Sequence, residues 1–157
     1  MISNHPPHFA IIGAGTAGLA TAILLARQNI QVSILEKASE LEPVGAGLLL
    51  QPSGLAVFEH LGLLDEVLRL GAKVTGLKGQ LPSGNLLVNS HYQQAHPDFY
   101  GVGIHRATLC HVLENKCREY SELITWQMNT DIQTLEETSN QVRVLGTKDG
   151  ESFDQAF

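Results

Sequence analysis

The chain has 157 residues, a net charge of -6, 43% hydrophobic residues and 17% charged residues. That length suits one domain, or part of a larger one, with enough apolar material to bury a core. The charge balance, acidic and without a block of like charges, excludes an electrostatic footprint for nucleic acid or for an anionic membrane.

The start MISNHPPHFAIIG lacks the basic segment of a secretory leader. His8–Gly13 is a short apolar run, as expected of a buried parallel strand. Thr16–Gln28 is predicted helical, with Leu19, Ile23 and Ala26 on one face and Asn29 as the stop. Glycines interrupt the apolar stretch 9–26, so it is not a membrane span. Gln31–Leu35 (QVSIL) is a second strand, β-branched at Val32 and Ile34. The three elements make a βαβ unit. Residues 36–50, with Pro43, Gly45 and Gly47, are expected to form a long loop. From Pro52 the helical period returns, divided at Gly62 and ended by Gly71. Val74–Leu81 and Leu86–Asn89 are predicted strands joined by a turn at 82–85, and 91–98 is a polar loop. Phe99–His105 is a strand and Ala107–Tyr120 a helix. That helix carries both cysteines, Cys110 and Cys117, seven positions apart and too distant to bridge. They are expected to be reduced thiols of a cytoplasmic protein. Leu123–Met128 is a further strand. Asp131–Glu136, Gln141–Gly146 and Ser152–Phe157 then form a β-meander with turns at 138–140 and 148–150.

The chemistry concentrates in Gly13-Ala14-Gly15-Thr16-Ala17-Gly18, a G-x-G-x-x-G between strand and helix. Gly13 makes the turn out of the strand, Gly15 lets a pyrophosphate reach the backbone, and Gly18 lets the helix lie against the strand. The helix N-terminus offers N–H groups and partial positive charge to phosphates. Glu36 follows the second strand, eighteen residues beyond Gly18. From there a carboxylate can accept hydrogen bonds from both ribose hydroxyls and repel a 2′-phosphate. An adenine dinucleotide other than NADP is implied, with NAD and FAD both open at this point. No histidine pair has metal-ligand spacing and no Ser/His/Asp grouping is visible, so neither a metal ligand nor a catalytic residue is assigned.

Later segments favour a flavin. Gly45-Ala46-Gly47-Leu48-Leu49-Leu50-Gln51-Pro52, Leu61-Gly62-Leu63 and His105-Arg106-Ala107-Thr108-Leu109 follow the fingerprint in order. With these motifs the whole chain resembles the FAD-dependent aromatic hydroxylases, the single-component flavoprotein monooxygenases that include salicylate and para-hydroxybenzoate hydroxylases. The resemblance implies a Rossmann-like FAD-binding α/β fold with a β-meander, incomplete at its C-terminal side. It implies that residues 1–157 are the N-terminal part of the FAD-binding domain, and that about 74–100 is a hairpin region bordering a substrate domain. Gly45 and Gly47 would lie near the ribityl chain and ring, Arg106 near the pyrophosphate and ribityl region, and Lys37 beside the adenosine. In such enzymes NADH or NADPH reduces the flavin, and oxygen is then transferred to an aromatic substrate.

Two further flavin motifs of that family, an Asp-Gly pair and a later Gly-Asp pair, are expected beyond Phe157. Asp149-Gly150 is not the first of these, because Asp-Gly between two short strands is the favoured hairpin turn. By the same resemblance a strand beyond Phe157 would lie beside His8–Gly13. Without it an apolar edge is exposed, and the chain alone is expected to be inactive, to bind FAD weakly or not at all, and to self-associate. The competing readings are an NAD-dependent dehydrogenase domain and a non-catalytic nucleotide-binding module.

Overall fold

The computed structural model describes residues 7–41, 45–139 and 141–157. In chain order β1 (His8–Ile12) leads through the glycine turn to α1 (Thr16–Arg27) and β2 (Gln31–Leu35). Asn29 takes a left-handed φ of 59°, which ends the helix as its residue type allows. Next come β3 (Gly47–Leu50), α2 (Pro52–His60), α3 (Leu64–Leu70), β4 (Ala72–Val74), β5 (Gly76–Gln80) and β6 (Leu86–His91). A single 3-10 turn (Tyr92–Gln94) precedes β7 (Gly101–His105) and α4 (Arg106–Arg118). The chain closes with β8 (Ile124–Gln127), β9 (Thr130–Glu137), β10 (Val142–Lys148) and β11 (Glu151–Ala156).

These elements fall into two compact units, residues 1–42 with 113–157, and residues 43–112. In the first, a parallel sheet runs β1-β2-β8, with Phe9 opposite Val32 and Val32 opposite Ile124. All of β2 after Gln31 is buried, as a central parallel strand requires. Leu19, Ala22, Ile23 and Ala26 form the buried stripe of α1. The thiol of Cys117 lies 3.5 Å from the Leu19 carbonyl oxygen, and burial pushes it up to about 12. The meander β11-β10-β9 belongs to this unit too. Its β10–β11 turn has left-handed Asp149 (φ 52°) and Gly150 (φ 84°), so Asp149-Gly150 is the hairpin turn the sequence indicates.

In the second unit β7 lies between β3 and β4, antiparallel to both, and α2 and α3 join that sheet's core through Leu55, Phe58 and Val67. The hairpin β5–β6 is a separate two-stranded ribbon whose second strand is exposed at all six positions.

Two elements differ from the sequence reading. The long loop 36–50 contains β3: four residues without β-branching carry little strand signal, and the pairing with β7 supplies the structure. The strand over 74–81 is two strands, because Val74 pairs with Gly101 whereas Gly76 pairs with His91, so the chain changes sheets at Thr75. Pro43 in that loop and Asn140 in the 138–140 turn lie outside the described residues, as do residues 1–6. Among the described residues no helix is long and apolar enough to cross a membrane.

Candidate functional site

The residues singled out in the sequence fall into two groups, one in each unit. The first is the turn Gly13–Gly18 with Glu36 and Lys37. Gly13 leaves β1 with φ 95°, a conformation that favours glycine, and its N–H donates to the Leu35 carbonyl at 2.8 Å. A Cβ on Gly18 would overlap the Gly13 carbonyl oxygen and press on Ile11, so glycine there sets how closely α1 approaches β1. At Gly15 the opposite holds: among the described residues, apart from its chain neighbours, no atom lies within 4 Å of where a Cβ would stand.

Gly15 is also the N-cap of α1, with no side-chain capping bond, and the first turn carries no acidic residue. The first N–H groups of a helix have no intrahelical acceptor, so this end presents donors and positive potential toward the space beside Gly15.

Glu36 faces the same turn. One carboxylate oxygen accepts the Ala14 N–H at 2.7 Å, the other the Ala38 N–H at 2.9 Å. Its backbone is tied as well: Glu36 N–H donates to Gln127 O (2.9 Å), and Glu36 O accepts from Thr130 N–H (2.8 Å). A carboxylate offers about four lone-pair sites, so two remain to accept from a ligand while the other two hold the side chain still. Glu36 is half-buried and Lys37 is exposed. The anchors on Gln127 and Thr130 were not legible in the sequence, because they come from β8 and β9, about ninety positions away.

The second group is Gly45, Gly47 and Arg106. The β3–β7 ladder places Gly47 opposite His105, and Arg106 N–H reaches Ala46 O at 3.4 Å. Gly45 has φ 131°, and a Cβ on it would come within 3.2 Å of Arg106 Cδ. The stem of Arg106 therefore packs on the bare Gly45 backbone. Arg106 is exposed, and among the described residues no carboxylate pairs with its guanidinium. That arrangement suits an anion acceptor brought by a ligand.

His8 Nε2 lies 3.0 Å from Ser33 Oγ. Ser33 is 2% exposed, so the contact locks two strands rather than presenting a nucleophile.

The FAD binding domain family matches residues 8–154. The chain belongs to that family. The match decides for FAD over NAD as the cofactor of the fingerprint, and the open space at Gly15, the uncapped helix end and the inward-facing Glu36 fit that group. Relatives of this FAD-binding domain include 3-hydroxybenzoate 6-hydroxylase of Klebsiella oxytoca, 32% identical over 88% of this chain and 36% of the relative. Another is the phenazine 1,6-dicarboxylic acid hydroxylase of Lysobacter antibioticus, 32% identical over 89% of this chain and 35% of the relative. Among solved structures, PqsL of P. aeruginosa, crystallised with 2-aminobenzoylacetate, superposes with a TM-score of 0.78 at 27% identity, covering 93% of this chain and 40% of that one. The p-nitrophenol 4-monooxygenase of Pseudomonas putida DLL-E4 shares the fold, with a TM-score of 0.85 at 17% identity over 96% of this chain and 38% of that one. The chain thus spans a little over a third of the length of these proteins.

Proposed function

We propose that Gly13, Ala14, Gly15, Thr16, Ala17 and Gly18 hold the FAD diphosphate at the start of α1, and that Glu36 holds the adenosine ribose with Lys37 beside it. Gly45, Gly47 and Arg106 serve the ribityl and ring side of the cofactor, each from its own place in the second unit. In the longer protein to which the chain corresponds, this cofactor supports NADH- or NADPH-dependent hydroxylation of a small aromatic substrate, with the hairpin over about 74–100 bordering the substrate domain. Bound FAD supplies the electron transfer to dioxygen. The residues of this chain bind and orient the cofactor, and none of them moves a proton in the reaction.

The observation that carries the reading is the Glu36 carboxylate, 2.7 Å from the Ala14 N–H and so turned into the glycine turn. Flavin titration of the purified chain, followed by quenching of flavin fluorescence, tests it. Saturable binding of FAD, weak in this chain, that Glu36→Gln weakens is expected. Binding indifferent to position 36 would remove the assignment.

The reading also covers the setting of the protein. Cys110 and Cys117 stand seven positions apart on α4, too distant to bridge each other, which supports a cytoplasmic location. Among the described strands β1 pairs only with β2, leaving Phe9 44% and Ile12 52% exposed beside an apolar groove of about 490 Å³ that Leu135, Val142 and Phe157 line. That edge supports self-association of the isolated chain, and a concentration-independent monomer in sedimentation would count against it.

A further inference from the structure

Tyr92 stands at the root of the β5–β6 hairpin. Its backbone N–H donates to Thr75 O at 3.0 Å, closing the base of the ribbon. Its hydroxyl donates to Gln51 Oε1 at 2.8 Å, across forty-one positions of sequence. Gln51 follows β3 directly and is the N-cap of α2, though its side chain makes no capping bond. The Gln51 amide is committed to Tyr92 instead.

Gly101 makes room for this contact. A Cβ there would stand 2.8 Å from the Tyr92 hydroxyl oxygen, 3.0 Å from Leu49 Cδ1 and 3.1 Å from Leu50 O. The bare backbone of β7 thus seats the phenol and the end of β3 together. β3 needs that seat, because among the described strands it pairs on one side only, with β7, and over just four residues. Its far end carries Ala46 and Gly45, on which the stem of Arg106 packs. A four-residue strand is too short to be held by its ladder alone against fraying.

We infer that Tyr92 is a positioning residue: by holding Gln51 it pins β3 on β7, and so fixes the Gly45–Gly47 segment and the Arg106 stem at the other end of the strand. The consequence for the cofactor rests on the proposal that this segment serves FAD. The tie itself does not.

The test uses the whole chain and Tyr92→Phe, with amide hydrogen exchange and FAD titration as separate readouts. Loss of one hydrogen bond of ordinary net worth corresponds to a factor of about 2 to 10. Exchange across residues 47–51 is expected to quicken by that factor, with α1 and β2 unchanged, and FAD affinity to fall by a similar factor. Gln51→Leu should reproduce Tyr92→Phe, Gln51→Glu should keep the bond and the wild-type behaviour, and the double variant Tyr92→Phe/Gln51→Leu should be no worse than either single. Unchanged exchange over 47–51, or additive single effects, would overturn the tie. Quickened exchange with unaltered FAD affinity would overturn its role toward the cofactor. Should the wild-type chain bind no FAD at all, the role of Tyr92 toward the cofactor falls for this chain, and the exchange pattern still decides whether Tyr92 pins β3.

Discussion

The glycine turn with Glu36 and the Gly45–Arg106 segment are both built on glycines, yet they are held in different ways. Around Glu36 every polar atom has a backbone partner: two N–H groups on the carboxylate, one carbonyl and one N–H on its own peptide groups. Around Arg106 only the aliphatic stem is seated, and the guanidinium is left exposed. The first region is organised before a ligand arrives, so little ordering cost is charged to binding. The second keeps an exposed cation that can settle on an anion brought within reach. Recognition of the cofactor should therefore be unforgiving at the turn and tolerant at position 106.

The sharpest way to break this contrast is Gly18→Ala. The added methyl must displace the Gly13 carbonyl or lift α1 from β1, and overpacking of this kind costs about 1–3 kcal/mol or more. A fall in thermal midpoint together with loss of detectable FAD binding is expected. Glu36→Gln comes next. Charge-assisted hydrogen bonds are worth about 1.5–3 kcal/mol, so FAD affinity should fall about 10- to 100-fold in titration while the circular dichroism spectrum stays unchanged. Gly15→Ala separates ligand room from packing: with nothing near the new methyl, stability should change by no more than about 0.5–1 kcal/mol, and affinity should drop about tenfold. If Gly15→Ala melts the protein as Gly18→Ala does, the distinction between the two glycines is wrong. Arg106→Gln should be milder still, about 3- to 10-fold at low salt, and nearly silent at high salt because an exposed charge is screened. Last, Cys117 should resist thiol labelling in the native chain at pH 8, reacting at least about 100-fold more slowly than after unfolding. Burial first, and then Glu114, raise its pKa to about 12 from an ordinary 9.0. Its contribution to stability is therefore intact below pH 9 and is lost as the pH climbs toward 12.

Much of this was legible in the residues. The 3.6-residue period of Leu19, Ile23 and Ala26 gave the buried face of α1, and β-branching at Val32 and Ile34 gave the central strand, because local preference and burial agree there. The strand–turn–helix context of Gly13–Gly18 located the turn for the same reason. What stayed hidden depends on distant pairing. Strand β3 exists because β7 lies beside it, and the change of sheets at Thr75 follows from partners at Gly101 and His91. The anchors of Glu36 at Gln127 and Thr130, and the Tyr92–Gln51 contact, join residues whose own neighbourhoods give no hint of one another.

The division of the chain has a bearing on how it folds. Residues 43–112 are contiguous and can collapse as soon as they are synthesised, with the β3–β7 ladder closing over 52 to 58 positions. The unit that carries Glu36 is assembled from both ends of the chain: Val32 must wait for Ile124, ninety-two positions later, before β2 gains its second neighbour. Closing so long a loop is entropically slow. The half that carries the glycine turn should therefore be the last to mature, and until β8 arrives the backbone that steadies Glu36 has no partner on that side.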